Sequence, residues 1–157
     1  MKCEFTEKLL LNPARIKQLL AKAQDNNAKF VFIDTAPHSE NTALESAKLA
    51  DLVLIPCRAG ILDIKAIKSS LNICDLAQVE SLVLLNALPS QSSIAQEARQ
   101  AIETIGGKVC EYSIGQRVIF NDAMTAGLGV VEFDLKSKAS QEIQKIFQLI
   151  KQVKPHE

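Results

Sequence analysis

The fold is decided by residues 52–86, LVLIPCRAGILDIKAIKSSLNICDLAQVESLVLLN, in which two short apolar runs enclose a longer amphipathic segment. The runs, Leu52–Ile55 and Leu82–Leu85, are rich in β-forming residues, and Pro56 and Asn86 close them. Between them, apolar residues recur at helical spacing, at Ile64, Ile67, Leu71 and Cys74. Because strands that are apolar on both faces are typical of parallel sheets covered by helices, the stretch predicts a strand–helix–strand unit.

The same alternation of short apolar runs and amphipathic segments continues on both sides of this unit. Two further strands are predicted, at Phe30–Ile33 and, shorter, at Lys108–Tyr112. Helices are predicted from Asn12-Pro13 to about residue 25, over 39–50, after Asp63, over 93–105 and over 137–153. Since no linker-like stretch divides the chain, residues 1–157 read as one α/β domain with a mainly parallel sheet flanked by helices.

Composition narrows the classes of protein that fit this sequence. Of its residues 47% are hydrophobic, and 18 basic side chains balance 18 acidic ones, which excludes a strongly basic nucleic-acid protein and an acidic disordered chain. No apolar run approaches the length of a membrane span and no signal peptide is evident, so we expect a cytoplasmic protein without a membrane partner. The cysteines form no C-x-x-C pair, which favours buried thiols over a zinc site.

Polar residues follow three of the predicted strands, in DTAPH (34–38), PCRAG (56–60) and NA (86–87). Ligands of open parallel sheets bind beyond the carboxyl ends of the strands, so these segments are candidate site positions. An apolar run that ends in aspartate, as at Asp34, can deliver a carboxylate toward Mg²⁺ in the manner of a Walker B strand. Aspartate also ends many strands because it suits the following turn, so both interpretations of Asp34 stay open.

Several segments, taken in order, carry a resemblance to a known family. They are FVFIDTAP (30–37), ADLVLIP (50–56), ILDIKAIKSSL (61–71) and IGQRVIFNDAMTAGLGVVE (114–132), followed by Lys138-Ala139 and Glu142-Ile143. This series resembles the ParA/MinD family of deviant-Walker ATPases, which partition plasmids and place division sites, and the 114–132 segment resembles its ParA-like branch. The resemblance runs from about residue 30 to residue 153 and implies a P-loop NTPase fold of the SIMIBI type.

Site residues follow from the resemblance only at matching positions. Asp34 matches the Walker B carboxylate that orients Mg²⁺ through water, and Thr35 and Pro37 match the switch loop that senses the γ-phosphate. Asn86 matches a residue that contacts the adenine edge, and Ile114 to Arg117 match the loop that closes over the base. The resemblance thus implies ATP and Mg²⁺ as cofactors.

The phosphate loop of that family does not occur in these 157 residues. The first glycine is Gly60, which lies after Asp34, and no G-x-x-x-x-G-K-[ST] motif or lysine-bearing variant is found. Without its backbone N–H groups and lysine, the charge that develops on phosphoryl transfer is not stabilised. We therefore expect an incomplete P-loop NTPase fold that lacks the N-terminal P-loop βα unit, binds no cofactor in isolation and does not hydrolyse ATP alone.

Two functions from different classes fit these observations. The first is a truncated or degenerate ParA-like partition protein that acts by binding to itself, to a ParA-type partner chain or, nonspecifically, to DNA. The second is the C-terminal part of an active ParA-type ATPase whose P-loop comes from another chain or from an upstream start. A flavodoxin-like regulatory domain also places an aspartate at a strand end, but it explains residues 114–132 poorly.

The expected partners rest on the sheet edge and on a basic C-terminal segment. Loss of the P-loop strand leaves backbone N–H and C=O groups unpaired, which predicts a homo-oligomer or pairing with another chain. Five lysines give the last 23 residues a local charge of +3, namely Lys136, Lys138, Lys145, Lys151 and Lys154. They predict weak nonspecific DNA binding, to which Arg58, Arg99 and Arg117 could contribute, or simply the solvated side of a helix.

Overall fold

A computed structural model describes residues 13–35, 40–90 and 92–153. Its helices are α1 (Pro13–Asp25), α2 (Glu40–Ala47), α3 (Ile61–Ala77), α4 (Ser92–Thr104), α5 (Ile119–Thr125), α6 (Val130–Phe133) and α7 (Lys138–Ile150). Its strands are β1 (Val53–Cys57) and β2 (Ser81–Leu85). The strand–helix–strand unit predicted from residues 52–86 is thereby confirmed as β1–α3–β2.

The two strands pair in parallel, with Val53 opposite Ser81 and Cys57 opposite Leu85. A third segment, residues 108–116, runs along the other edge of β2. Its first contacts are a parallel bridge between Val83 and Val109 and a hydrogen bond of 2.8 Å from the Cys110 N–H to the Val83 carbonyl. The predicted strand at 108–112 is therefore reduced to a single bridge, and β2 lies between β1 and this segment.

Helices cover both faces of the sheet, as the continuous apolar strands require. Side chains at odd positions of the strands, such as Val83 and Leu85, join a core with α2, α3 and α4. Those at even positions, Leu82 and Leu84, pack with Ile146 of α7 on the opposite face. The period of two expected of strands thus divides the core into two layers. The α/β class with a helix-flanked parallel sheet is confirmed, with two strands in the described part of the chain.

The predicted strand at Phe30–Ile33 is wrong. Residues 31–35 have no regular secondary structure and belong to neither strand of the sheet, and the side chains of Phe30, Val31 and Phe32 are 40%, 48% and 72% exposed. Instead the Phe30 ring packs against Phe147 of α7, with ring centroids 5.3 Å apart. An apolar run favours extended backbone, but a strand also needs a neighbour that pairs with it. Among the described residues, 30–33 have no such neighbour.

The outer edge of β1 is open within the described range. The Val53 N–H donates to the Glu80 carbonyl, and the Cys57 carbonyl accepts from the Asn86 N–H, so the backbone groups of Val53 and Cys57 point toward β2. The backbone groups of Leu54 and Pro56 therefore point to the outer edge. Pro56 has no N–H, which weakens that edge as a template for pairing.

Because the open edge of β1 is weakened in this way, we expect the predicted self-association to be weak. Light scattering should show the average mass rising only at high micromolar concentrations, and a monomeric mass throughout would contradict the expectation.

The segment 114–132, which carries most of the family resemblance, forms two short helices that the periodicity did not predict. Ala123 of α5 and Val130 of α6 pack against Ala139 of α7 in a small separate core. The predicted C-terminal helix is confirmed as α7, and the Ser137 hydroxyl caps it by accepting a hydrogen bond of 3.1 Å from the Ser140 N–H. These contacts set the position of the loop that precedes α5.

The expectations about membrane spans and cysteines can be compared with the structure. In the described ranges no helix is long and apolar enough to cross a membrane. Cys57, Cys74 and Cys110 are confirmed as buried, unpaired thiols. Burial raises the pKa of the Cys57 and Cys74 thiols, so both remain protonated at neutral pH.

Candidate functional site

A cavity of about 460 Å³ opens beyond the carboxyl ends of β1 and β2, where a parallel sheet binds its ligands. Its lining comes from Arg58 after β1, Asn86 and Ala87 after β2, residues 114–117, and Phe120 and Asn121 of α5. The three residues that the resemblance assigns to the adenine side, Asn86, Ile114 and Arg117, therefore line one space. None of the acidic side chains in the described part of the chain lines the cavity.

The loop at 114–117 is fixed to the end of β2 by backbone hydrogen bonds. The Ile114 N–H donates to the Leu85 carbonyl at 2.9 Å, and the Ile114 carbonyl accepts from the Leu88 N–H at 2.9 Å. Two residues on, the Gln116 N–H donates to the Leu88 carbonyl at 2.8 Å. The cavity wall is therefore an extension of the sheet rather than a free loop, which pre-organises it for a ligand.

Arg117 is held by an ion pair with Glu142 of α7. Arg117 Nη2 lies 2.5 Å from Glu142 Oε1, and Nε donates to Oε2 at 3.3 Å. The Gly115 N–H donates to the same Oε2 at 3.2 Å. A Cβ at Gly115 would lie only 3.0–3.3 Å from the guanidinium atoms, so the close approach of Arg117 depends on this glycine. The three residues together tie the loop to α7.

The contact between Arg117 and Glu142 shifts the pKa of both side chains. Burial alone would raise the pKa of Glu142, but the hydrogen bonds from Arg117 and Gly115 and the positive charges of Arg117 and Lys138 lower it overall. The hydrogen bond to Glu142 raises the pKa of Arg117 above its usual value. The pair is therefore fully ionised at neutral pH.

Asn86 presents a free amide donor at the cavity. Its Oδ1 accepts a hydrogen bond of 2.8 Å from the Ala87 N–H, and Ala87 adopts a positive φ of 51° in this tight turn. Its own N–H donates to the Cys57 carbonyl at 2.8 Å, which joins the ends of β1 and β2. The Nδ2 group donates to no atom of the described residues, so it is available to an acceptor on a ligand.

Of the residues assigned to the phosphate and metal side, Asp34 and Thr35 do not line this cavity. Both lie exposed in the irregular segment after Phe32, and Pro37 falls outside the described residues. No group of three or more metal-ligating side chains occurs in the part of the chain that the structure describes. Among the described residues, the cavity thus brings together the positions that the resemblance assigns to the adenine side, while Asp34 and Thr35 lie outside it.

The four described lysines among those proposed to contact DNA are exposed but not gathered on one surface. Lys138 and Lys145 are two helical turns apart and share a side of α7, whereas Lys151 lies about a third of a turn away. Lys145 Nζ lies 5.8 Å from the centroid of the Tyr112 ring, at a second, polar cavity of about 410 Å³. Lys136 is exposed before α7, and Lys154 lies outside the described residues.

Three residues that line the cavity, Arg58, Phe120 and Asn121, had no specific ligand-binding role predicted from the sequence. Arg58 belongs to segment 56–60, which was predicted as a candidate site position because it follows a strand, and as a single residue it was considered only as a DNA contact. Phe120 and Asn121 carried no signal, since the helix that places them was not predicted. Of the other two candidate arginines, Arg117 pairs with Glu142, and the Arg99 guanidinium donates to the Cys110 and Glu111 carbonyls.

Comparison with known proteins gives a distant relationship. No protein-family model matches the chain. Over 144 residues it is 24% identical to the maintenance of carboxysome distribution protein A of Halothiobacillus neapolitanus. The alignment covers 88% of this chain and 65% of that protein. The chain thus spans just under two thirds of the length of this relative, which is named for the maintenance of carboxysome distribution.

Proposed function

We propose that this chain is a ParA-like positioning module that binds the base of an adenine nucleotide at the carboxyl end of its sheet. The observation that carries the proposal is the convergence of Asn86, Ile114 and Arg117 on one cavity. The resemblance assigned all three to the adenine side, although 31 residues separate the first from the last. The similarity to a protein named for the maintenance of carboxysome distribution supports a positioning role, since the ParA/MinD family partitions plasmids and places division sites.

Each cavity residue has a distinct part in holding the base. The Asn86 amide donates through Nδ2 to a ring nitrogen, while its Oδ1 stays on the Ala87 N–H. Ile114 supplies an apolar wall, and Phe120 adds an aromatic one. Arg117, fixed by Glu142, keeps its remaining N–H donors in place without ordering cost on binding. The result is a small, largely preformed base pocket.

Affinity for the base alone is expected to be low. A purine of about ten heavy atoms at roughly 0.3–0.4 kcal/mol each corresponds to a Kd on the order of 1–10 mM. Tighter binding and hydrolysis need a lysine-bearing phosphate loop, which these 157 residues do not contain. We therefore propose a binding role for the chain by itself, with ATPase activity only where another polypeptide segment supplies that loop.

The test is a nuclear magnetic resonance titration of the chain with adenosine. We expect the amide signals of residues 86–87 and 114–117 to shift with a common millimolar Kd. The Asn86→Asp variant keeps an oxygen for the Ala87 N–H and removes the Nδ2 donor, so binding should weaken about tenfold, the worth of one hydrogen bond. Uridine, which lacks the purine ring, should shift the same signals much less.

Asn72→Asp is the matched control because Asn72 is exposed on α3 and the change adds the same charge. It should leave the adenosine Kd unchanged. Equal shifts with uridine, or shifts centred on α7 rather than on the cavity, would contradict a purine site. An unchanged Kd in Asn86→Asp would remove Asn86 from the pocket.

Two kinds of partner belong to the same proposal. A second copy or a ParA-type chain could pair along the open edge of β1 described above. Nonspecific DNA could bind through Lys136, Lys138, Lys145, Lys151 and Lys154. The spread of the described lysines around α7 supports only a small footprint, with few phosphate contacts and a correspondingly shallow salt dependence.

A further inference from the structure

The cavity contains two guanidinium groups in different electrostatic situations. Arg117 is neutralised by Glu142, whose carboxylate contacts it through both oxygens. Arg58 is exposed, and in the described ranges no carboxylate lies within 4.0 Å of it. Because no acidic residue of the described ranges lines the cavity, the lining that they form carries one uncompensated positive charge, on Arg58.

The nearest acidic residue along the chain after Arg58 does not cancel this charge by direct pairing. Asp63 lies in the first turn of α3, and its Oδ2 would sit 2.6 Å from a Cβ placed on Gly60. Its charge contributes to raising the pKa of the Cys57 thiol. It neither lines the cavity nor forms an ion pair with Arg58.

The order of the chain segments fixes where Arg58 stands relative to the base-binding residues. Segment 108–116, β2 and β1 follow one another across the sheet, so Ile114, Asn86 and Arg58 succeed one another along its carboxyl edge. Cys57 and Leu85 are register partners, so Arg58 and Asn86 leave the two strands at the same level, about 5 Å apart. A base held by Asn86 and Ile114 thus has Arg58 on its β1 side.

We propose that Arg58 recognises the phosphate group of a nucleotide whose base lies against Asn86 and Ile114. The inference rests on the proposed base site and adds the anionic half of the ligand. A guanidinium presents paired N–H donors that match phosphate oxygens. The Arg58 guanidinium forms no ion pair with a carboxylate among the described residues, so its donors are available to a phosphate. The cavity therefore favours a nucleoside monophosphate over the uncharged nucleoside.

The experiment compares adenosine with adenosine monophosphate in the same magnetic resonance titration. We expect the monophosphate to bind the wild-type chain about tenfold more tightly, as charge-assisted hydrogen bonds to phosphate provide. Arg58→Met should abolish this preference, so that adenosine and the monophosphate bind the variant with Kd values within twofold of each other. Arg58→Lys, which keeps the charge and loses the paired donors, should retain part of it. Arg15→Met, at an exposed position of α1, should retain all of it.

The outcomes separate this inference from the proposal on which it rests. If neither ligand shifts the cavity signals, the base site itself is wrong. If adenosine binds but the monophosphate binds no more tightly, or if Arg58→Met keeps the preference, the base site stands and the role of Arg58 is refuted. If inorganic phosphate shifts the Arg58 amide as strongly as the monophosphate does, the site binds free anions and the base plays no part.

Discussion

Replacing Leu85 by alanine is expected to lower the free energy of unfolding by about 3–5 kcal/mol, the upper range for a leucine truncated in a core. Leu85 lies at the end of the central strand β2, and its side chain is fully buried in the core shared with α3 and α4. Its carbonyl also accepts the Ile114 N–H that fixes the cavity loop. Because single domains are stable by only about 5–15 kcal/mol, the variant should approach unfolding at 37 °C.

Urea denaturation followed by circular dichroism measures this loss. Leu76→Ala is the matched control, since Leu76 on α3 is 72% exposed and the same atoms are removed. The control should change stability by less than about 0.5 kcal/mol. Similar losses in the two variants would mean that β2 does not lie between two helical layers.

Replacing Glu142 by alanine is expected to cost about 1–2 kcal/mol of stability and to loosen the cavity wall. The change removes the acceptor of both the Arg117 guanidinium and the Gly115 N–H. Hydrogen bonds to charged groups are worth about 1.5–3 kcal/mol, and the 33% exposure of Arg117 reduces that figure because water replaces part of the loss. In a double-mutant cycle with Arg117→Ala, the coupling energy should account for most of the effect.

The stability contributed by this pair should depend on pH in a defined direction. The pKa of Glu142 is lower in the folded chain than its ordinary value of 4.5. Its contribution is therefore complete above that value and disappears as the pH falls through the lower folded pKa. The difference in stability between wild type and Glu142→Gln should shrink below about pH 4.5.

Glu45→Gln is the control for this prediction, because it breaks the exposed Lys48–Glu45 pair. Its free energy of unfolding should not differ measurably from that of wild type at neutral pH.

The strands and longer helices could be predicted where local pattern and tertiary environment agree. The run at residues 82–85 is apolar at every position because β2 is covered on both faces, and the apolar spacing of α7 matches its packed side. The run at 30–33 has the same local pattern and forms no strand, since hydrogen bonding to a neighbour is a property of the assembled sheet. The helices α5 and α6 were missed because each is too short to show a period.

The candidate site was predictable in part for a similar reason. Asn86 and Arg58 each follow a strand, and the rule that ligands bind at carboxyl ends indicates such positions without any structure. Ile114 and Arg117 were assigned only through the family resemblance. The pairing of Arg117 with Glu142, 25 residues further along the chain, left no sign in the local sequence. Charge alone could not distinguish the neutralised Arg117 from the uncompensated Arg58.

By itself, the sequence determined the alternation of helix and strand in residues 52–86, the parallel character of the sheet and the absence of a phosphate-loop motif within these 157 residues. These properties follow from side-chain polarity and local spacing, which the chain carries in every conformation. Only the tertiary structure decided that Arg58, Asn86, Ile114 and Arg117 surround one cavity and that the segment 30–33 stays out of the sheet. Both depend on which distant segments pack or pair together, and packing across the sheet, rather than local preference, settles that choice.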